Sequence, residues 1–426
     1  MSKASQASTY EFFQIQKKGK SGIDITGQDK TAPKTVSFDY YESLFSPSIT
    51  ALLTVIDTGS STKYDSKYDP QTRTGTVLSA LPLSGDVAVA FKIKNESGTL
   101  DFSKKALLFD KALSPGSESN REAVTMNLVS KNFKISGEQK IYKKYAGNIG
   151  NSVRQIIGDY LKTTVNIDQP KNSYSFLGNG KSPFELICQL APKSIPSRGN
   201  PGYFFYETSA GLNFRSIDEL IRQKEVETYY RTDVLRANNN NKENDFKILF
   251  KTDIKKGDLA NLIDSGAIYS KNVFIDPVTF EYQEYVADYS KLLSTSLGKD
   301  SSLPTVSSFT KTHFHIKDVG VLSKKVKDDV NNDPKEWQAL SAMRYNLLFT
   351  QVIQIQVPCN VKLKAGDTIV CNFEAVTGSS KVQGPDPVMS GKYLIVNLCH
   401  HFDPLRSYTS LTLARDSYGL HTNKNK

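Results

Sequence analysis

Two aspartates, Asp57 and Asp264, lie in short segments whose composition could support acid–base catalysis. Asp57 begins the sequence Asp-Thr-Gly-Ser, and Asp264 begins the sequence Asp-Ser-Gly. Two carboxylates that share one proton can act as general base and general acid, which is the chemistry of an acid hydrolase. The same residue types also end strands in ordinary turns, because Asp and Gly favour turn conformations. The pair is therefore a hypothesis, and its test is whether the fold brings the two side chains together.

The segment Thr54–Ser61 resembles the catalytic loop of pepsin-like aspartic proteases, with Asp57 and Asp264 as its two aspartates. Three observations argue against this alternative. No tyrosine-bearing flap of the Tyr-Gly-Thr-Gly type follows the first segment, and Ile156–Gly158, where supporting small residues are expected, lies in a helical stripe. The chain is also basic and shows no secretory leader. Short motifs match by chance often, so a strand that ends in a turn is the preferred interpretation.

Histidines provide the second candidate chemistry. His313 and His315 are two residues apart, so on a strand both would lie on one face, and His401 could join them as a third metal ligand. Imidazoles on strands more often serve as hydrogen-bonding groups, and no His-Glu-x-x-His, phosphate-loop, dinucleotide or Gly-x-Ser-x-Gly motif occurs. The sequence therefore predicts no catalytic, cofactor-binding or metal-binding residue, and a protein that is not an enzyme.

Composition excludes several classes of protein. Of the 426 residues, 38% are hydrophobic and 10% are aromatic, which is too apolar for a chain that is disordered throughout. No run approaches the roughly 20 apolar residues that a membrane-spanning helix needs, and the first ten residues lack the apolar core of a secretory signal. The cysteines show neither zinc spacing nor a disulfide framework, which indicates folding in a reducing compartment. These four cysteines are Cys188, Cys359, Cys371 and Cys399.

The chain carries a formal net charge of +10, and its lysines form three clusters. The clusters lie at 17–20, 324–327 and 424–426. Aromatic residues do not alternate with them as they do in single-strand binders, and no helix-turn-helix or zinc-finger spacing occurs. We therefore expect solvated loops rather than a specific nucleic-acid site.

The first third of the chain has the pattern of β-strands. Val36, Phe38 and Tyr40 alternate with polar residues, an apolar run extends over 49–56, and period-2 faces recur over 87–93 and 124–128. Several short strands separated by turns predict a barrel or a sandwich. We assign residues 1–140 to a first antiparallel β-barrel domain.

The middle of the chain changes to helical periodicity. Apolar residues at Val153, Ile156, Ile157, Tyr160 and Leu161 predict an amphipathic helix. A second helix is predicted to begin with Ser-Pro-Phe-Glu at 182–185, where the serine caps the first turn and the glutamate completes a capping box. Two aromatic-rich runs around Ser-Ala-Gly at 209–211 predict a hairpin. Residues 141–224 therefore form a small α+β domain.

Residues 225–333 give the weakest pattern, and we treat them as an insertion that could contribute strands to a barrel. The asparagine run at 238–241 predicts a loop, and the spacing over 280–293 predicts a helix. Residues 334–426 are clear again. A short helix near Trp337 is followed by strand patterns at 353–357, 369–373, 394–398 and 408–413, which predict a second antiparallel β-barrel domain. The predicted fold is thus mainly β with an α+β centre.

Several stretches follow one another in the order and spacing of a known family. They are Phe38–Ile49 with Leu52–Asp57, Lys181–Ile187, Phe204–Glu207 with Phe214–Asp218, Leu363–Asp367, Gly391–Val396, Tyr408–Leu411 and Arg415–Ser417. Together they resemble the baseplate hub proteins of contractile-tailed bacteriophages, whose module also opens the spike proteins of type VI secretion systems. The resemblance extends over about 35 to 418 and is poor between 225 and 333.

The resemblance implies a structural protein of the virion, in the tail baseplate, that is assembled in the host cytoplasm. Hubs of this family contain two tail-tube-like barrels per chain and form a homotrimeric ring. Such a ring presents six similar surfaces to the hexameric tail tube protein and three to the trimeric central spike protein. It also lines the channel through which DNA leaves without specific binding. Baseplate wedge and tape-measure proteins are further implied partners, and no membrane is involved.

Two expectations follow from this resemblance. Three chains would carry a formal net charge of +30, and a lysine-lined channel would retain DNA. We therefore expect the excess positive charge on outer or partner-facing surfaces and a neutral or acidic channel. The same module in a secretion or injection spike would normally continue into a β-helical needle. Because this sequence stops at Lys426, soon after its last predicted strand, we expect a separate spike protein as partner.

Overall fold

The computed structural model describes most of the chain, and its elements are predominantly strands. The described residues are 7–17, 22–27, 33–59, 62–66, 69–75, 77, 86–118, 121–231, 245–256, 259–277, 279–289, 292, 297, 311–317, 331, 337–375 and 385–417. The asparagine run at 238–241 and all the predicted lysine clusters except Lys17 lie outside them. Among the described residues, no helix has the length and apolar character needed to cross a membrane.

The strands and helices are numbered here in chain order. The strands are β1 Thr9–Lys17, β2 Ile23–Asp24, β3 Lys34–Ser43, β4 Thr50–Asp57, β5 Thr62–Ser66, β6 Asp69–Gly75, β7 Val87–Asn95, β8 Gly98–Asp101, β9 Leu107–Glu118, β10 Arg121–Val129, β11 Lys144–Tyr145, β12 Val165–Ile167, β13 Phe176–Leu177, β14 Tyr203–Thr208, β15 Gly211–Ser216, β16 Glu227–Arg231, β17 Phe250–Lys256, β18 Tyr269–Ile275, β19 Tyr282–Asp288, β20 Lys311–Ile316, β21 Gln351–Pro358, β22 Thr368–Phe373, β23 Gly391–Phe402 and β24 Ser407–Arg415. The helices are α1 Lys131–Glu138, α2 Ile149–Ile156, α3 Pro183–Leu190, α4 Ile217–Arg222, α5 Leu259–Asp264 and α6 Gln338–Leu348.

Seven strands from the first third of the chain form a closed circuit of antiparallel hydrogen bonds, which we call the first circuit. Its order is β3, β4, β10, β9, β7, β1 and β2. The circuit closes because Ile25 donates its N–H to the carbonyl of Phe13 at 2.9 Å, and Thr35 donates to the carbonyl of Ile25 at 3.2 Å. Closure pairs the two ends of this strand order with each other, and paired edges are protected from edge-to-edge aggregation.

A second circuit contains β17, β21, β24, β23, β22 and β16 in that order. The chain segment that leads into β17 closes it, since Tyr230 donates to the carbonyl of Phe246 at 2.9 Å and Ile248 donates to the carbonyl of Tyr230 at 2.8 Å. Two of its strands, β16 and β17, come from the stretch that the sequence left as an insertion. The pair β16–β22 is parallel, whereas the pairs β17–β21, β21–β24, β23–β24 and β22–β23 are antiparallel.

The two circuits meet along one seam, where β3 pairs with β23 in antiparallel register. Phe38 lies opposite Phe402, and their rings stack at 6.2 Å between centroids. One hydrophobic core continues across the seam and contains buried residues of both circuits. The seam therefore joins the circuits through backbone hydrogen bonds and through shared apolar packing.

The strand predictions hold, with one local exception in β3. Phe38 and Tyr40 are buried as predicted, but Val36 is 36% exposed while Thr35 is buried. A β-bulge between Thr35 and Ser37 inserts one extra residue opposite β4. In the part of β3 before the bulge, the residues that face the core are therefore shifted by one position. A strictly alternating pattern does not reveal such a bulge.

The α+β unit, residues 141–222, follows its predicted elements closely. Helix α2 continues into a π-helical turn over 157–161, and Val153, Ile156, Ile157 and Leu161 are buried. Helix α3 begins with the predicted capping box. The side chain of Ser182 accepts the Glu185 N–H at 3.4 Å, and Oε2 of Glu185 accepts the Ser182 N–H at 2.8 Å.

The predicted hairpin is β14–β15, and the aromatic residues of β14 pack on both sides of it. Tyr203 and Phe205 belong to the core of the α+β unit. Phe204 and Tyr206 belong to a second core that also contains Leu348 of α6. These four aromatic residues are all buried inside the protein.

The helix predicted over 280–293 is wrong for the part that the structure describes. Residues Tyr282–Asp288 form β19, which pairs with β18, and β18 also pairs in parallel with β20. We call these three strands the insertion sheet. Its β18 residues Ser270, Asn272 and Phe274 are buried, and α5 and α6 share a hydrophobic core with this side. The tyrosine spacing in this segment fits a helix equally well, so pairing with β18 decided the outcome.

Candidate functional site: the junction of the circuits and the α+β unit

The two candidate catalytic aspartates occupy unrelated places in the fold. Asp57 ends β4 and is 3% exposed, and its oxygens accept the N–H groups of Gly59 and Val77, each at 2.8 Å. Asp264 is exposed at the last position of α5, beside the insertion sheet. Because hydrogen bonds to backbone occupy both oxygens of Asp57, the carboxylate serves to hold the turn after β4. The structure gives no support to the aspartic-protease alternative.

The candidate metal-binding histidines do not form a cluster. His313 and His315 share one face of β20 as predicted, but His401 lies on β23. Both ring nitrogens of His315 are engaged, with Asn272 Oδ1 at 2.9 Å and Gln338 Nε2 at 2.8 Å. Among the residues that the structure describes, no group of three His, Cys, Asp or Glu side chains could hold a metal ion.

A buried carboxylate that the sequence did not single out joins three parts of the molecule. Glu42 on β3 is 2% exposed and accepts hydrogen bonds from the Tyr40 hydroxyl at 2.8 Å and the Ser209 N–H at 2.7 Å. Its second oxygen accepts the Ala365 N–H at 2.9 Å. Ser209 lies in the β14–β15 turn and Ala365 between β21 and β22. Burial raises the pKa of Glu42 to about 7.

A second buried carboxylate, Glu207 of β14, holds the same hairpin against the first circuit. One oxygen accepts the side-chain amide of Asn132 on α1 at 2.7 Å, and the other accepts the Ile49 N–H at 3.4 Å, just before β4. Burial raises the pKa of Glu207 as well. The two glutamates therefore fix the hairpin to the first circuit from two directions.

A buried ion cluster joins the α+β unit to the end of the second circuit. Arg344 of α6 donates to Asp218 of α4 at 2.9 Å and to Asp416, which follows β24, at 2.7 Å. Asp218 also accepts two hydrogen bonds from Asn200, and Asp416 accepts the Leu297 N–H at 2.9 Å. Each charge is paired and hydrogen-bonded, which is the condition under which buried ions are tolerated.

The seam between the circuits carries its own charged group on the outer side. Nδ1 of His401 lies 2.5 Å from Asp39 Oδ1, and Nε2 lies 3.3 Å from Asp403 Oδ2. The imidazole stacks on Tyr408 with 4.7 Å between ring centroids. The hydrogen bond with Asp39 is the largest cause that raises the pKa of His401. Because His401 and Asp39 are register partners on β23 and β3, this pair connects the two circuits directly.

Part of this junction could have been found in the sequence. Glu42 continues the inward phase of Phe38 and Tyr40, so the alternation places a carboxylate inside the core. A charged residue at an inward position indicates a buried hydrogen-bonded group. The cluster of Arg344, Asp218 and Asp416 gives no comparable signal, since its members are far apart in sequence.

The chain is similar in sequence to a known phage protein. The chain is 21% identical over 305 residues to the probable baseplate hub protein of Vibrio phage KVP40, a match that covers 69% of this chain and 71% of that protein. No protein-family model matches the chain.

Two solved tail proteins share the fold over nearly their whole length. The 43 kDa tail protein of prophage MuSo2 from Shewanella oneidensis superposes with a TM-score of 0.54 at 9% identity, covering 96% of this chain and 99% of that one. The tail protein from Neisseria meningitidis MC58 gives a TM-score of 0.52 at 9% identity, covering 96% and 97%. The chain thus resembles a baseplate hub protein in sequence and two tail proteins in fold.

Proposed function

We propose that this chain is a structural subunit of a phage tail baseplate hub. The observation that carries the proposal is the presence of two closed strand circuits, joined side by side through β3 and β23. Two closed circuits in one chain are what a hub needs to present paired, tube-like surfaces. The sequence similarity to a baseplate hub protein and the fold shared with two tail proteins support the same role.

In the assembled hub, three copies form a closed cyclic ring, and each copy contributes two circuits. Six similar surfaces then face a hexameric tail tube, while three identical surfaces face a trimeric central spike. Closed cyclic assemblies use one repeated contact between neighbouring copies, so a single chain can convert between the two symmetries. DNA leaves through the central channel, whose surface we propose to be neutral or acidic.

The buried junction supplies the stiffness that this role requires. Glu42 contacts the first circuit, the hairpin of the α+β unit and the second circuit at once. The Arg344 cluster fixes α6 to both the α+β unit and the end of β24. A hub that transmits force between tube and spike must keep its two circuits in fixed orientation, and interactions of this kind resist relative motion.

The junction residues have structural rather than catalytic roles. Both oxygens of Glu42 and of Glu207 accept hydrogen bonds from groups within the chain, and the similar proteins are a probable baseplate hub protein and tail proteins. We propose that the partners are the tail tube, the central spike, and wedge or tape-measure proteins, and that the site of action is the virion. Assembly takes place in the host cytoplasm before the virion is complete.

The role is tested on the virus particle that carries the chain. We expect mass spectrometry of purified tails to detect the chain, and antibody labelling in electron micrographs to mark the baseplate end. Native mass spectrometry of the full chain, alone and with the co-expressed spike protein, should give three copies. Absence of the chain from purified tails would overturn the proposed function.

A further inference from the structure

One face of the insertion sheet carries large apolar side chains in solvent. Register places Ile275 of β18 between Tyr282 of β19 and Ile316 of β20, and Phe314 lies two residues before Ile316 on the same face. Tyr282, Phe314 and Ile316 are 68%, 72% and 74% exposed. Phe280, just before β19, is 84% exposed.

This face differs from the opposite face of the same sheet. The opposite face carries Asn272 and Phe274, which are buried, and Phe274 shares a core with residues of α5 and α6. An antiparallel or mixed sheet that covers a core on one side normally shows polar residues on the other. Contiguous exposed apolar side chains on a soluble protein indicate a contact surface.

The two edges of the insertion sheet carry opposite charges. The residues 281–288 at the β19 edge include Glu281, Glu284 and Asp288 and no basic residue, whereas residues 311–317 at the β20 edge include Lys311 and Lys317 and no acidic residue. Glu284 pairs with Lys271 of β18 at 2.7 Å within the chain. In the part of the chain that the structure describes, β18 is the strand that pairs with both, so β19 and β20 are the outer strands of the sheet. The acidic edge is therefore complementary to the basic edge of another copy.

We propose that the insertion sheet is a contact between neighbouring copies of this chain, in which the β19 edge of one copy pairs with the β20 edge of the next. This inference rests on the proposed function, because a cyclic ring needs one surface that meets a different surface of the next copy. Since β19 is antiparallel and β20 parallel to β18, the new strand pair is antiparallel.

The exposed face fixes the register of this contact. Side chains of opposing residues lie on the same face of a sheet, so Tyr282 must oppose an even-numbered residue of β20. Pairing Tyr282 with Ile316 places Glu281 opposite Lys317 at the end of the strand. The contact then joins two apolar faces into one and adds an ion pair at its rim.

A second copy is favoured over an unrelated partner because each edge finds its complement on the same chain. A foreign protein would have to supply both an acidic and a basic strand to satisfy the two edges. The exposed side chains include three aromatics, each of which can bury roughly 150–250 Å². That is a large part of the roughly 800 Å² per partner that a stable interface buries.

The first test reverses charges on the full chain. We expect Glu281→Lys alone and Lys317→Glu alone each to raise the dissociation constant of self-assembly roughly tenfold, because like charges then oppose each other. The double variant carries a reversed pair and should return to within about threefold of the wild type. Sedimentation velocity over a concentration series measures the constants, and Lys171→Glu, at an exposed site of the α+β unit, is the control for net charge.

The second test removes apolar contact. Phe314→Ser is expected to weaken self-assembly by about tenfold or more, as truncation of a buried aromatic does in an interface. Tyr142→Ser is the matched control, since Tyr142 on the α+β unit is also 72% exposed. Circular dichroism of each variant checks that the chain remains folded.

The outcomes separate this inference from the proposed function. Unchanged assembly in Phe314→Ser and in both charge reversals overturns the inference, as does a wild type that remains monomeric at every concentration. Loss of binding to another tail protein with intact self-assembly shows a foreign occupant and overturns it too. None of these results removes the chain from purified tails, which is the test of the hub role.

Discussion

The two strand circuits reach closure by different routes. The first circuit is built from strands that lie close together in sequence, between Thr9 and Val129, and all its strand pairs are antiparallel. The second circuit combines β16 and β17 with the four strands β21–β24, which follow in sequence from Gln351 onward, and one of its pairs is parallel. Closing long loops costs conformational entropy before distant strands gain contacts. The stability of the second circuit therefore depends more strongly on interactions other than the hydrogen bonds between its own strands.

The interiors of the two circuits also differ in polarity. The first circuit packs Phe13, Phe38 and Phe91 against one another, with centroid distances between 4.7 and 5.7 Å. The second encloses Arg415, which is fully buried and donates to the carbonyls of Ser390 at 3.2 Å and Val388 at 2.6 Å. An apolar core tolerates small changes in its side chains. A buried ion, in contrast, destabilises the folded state when any of its charged or hydrogen-bonding partners is removed. The comparison predicts a robust first circuit and a second one that is sensitive to single polar substitutions.

The largest effect should come from the ion cluster that supports the second circuit. Arg344→Met leaves Asp218 and Asp416 without their cation, so we expect a loss of about 5 kcal/mol in the free energy of unfolding. Urea denaturation measures the loss, and hydrogen exchange should increase first in β21–β24. Arg222→Met is the control, because its pair with Glu219 is exposed and is worth less than about 1 kcal/mol. Equal effects of the two substitutions would contradict the stabilising role of the buried ion cluster.

The seam tests whether the circuits unfold together. Phe402→Ala removes a fully buried ring that stacks on Phe38, and we expect a loss of about 3–4 kcal/mol. Because one core extends across the seam, hydrogen-exchange protection should fall in both circuits. Loss of protection confined to β21–β24 would show that the circuits are independent units.

Glu42 should make stability depend on pH. Its pKa in the folded state is raised to about 7, so between about pH 4.5 and 7 the folded chain binds more protons than the unfolded chain. The free energy of unfolding therefore falls as pH rises through this window. Glu42→Gln should reduce that slope, which urea titrations at several pH values measure. An unchanged slope would contradict the role of Glu42.

His401 should act at higher pH with a smaller effect. Its pKa is raised, so its stabilising charge is fully present below about pH 6.5 and is lost as pH rises through the folded pKa. His401→Asn should remove roughly 1 kcal/mol at pH 6 and progressively less above that window. Denaturation curves at pH 6 and about 9 measure the difference. An effect that does not vary with pH would show that the imidazole contributes by packing alone.

The smallest effect concerns the bulge in the first circuit. Val36→Thr should change the free energy of unfolding by less than about 0.5 kcal/mol, because the side chain is exposed. Val55→Thr places a hydroxyl in the core at a site that is 2% exposed and should cost about 1–2 kcal/mol. Thermal denaturation of both variants compares them, and equal losses would place Val36 inside.

Much of the fold follows from local patterns, and the exceptions have physical causes. The capping box at Ser182 and the strand that contains Phe91 depend on residues that are only a few positions apart in sequence. The sequence therefore predicts both correctly. The helix expected over 280–293 fails because β19 is set by its pairing with β18. Burial of Glu42 is visible in the alternation of β3, but two of its three donors, the N–H groups of Ser209 and Ala365, come from distant parts of the chain.

The sequence by itself determined the mainly β class, the α+β centre and the resemblance to baseplate hub proteins, because these depend on periodicity and on the order of short motifs. Tertiary structure decided how the circuits close, which strands of the insertion join the second circuit, and where the buried charges meet. Those features depend on contacts between residues hundreds of positions apart, as between Asp39 and His401. Local preferences carry no information about such pairs, since only the folded chain brings them within hydrogen-bonding distance.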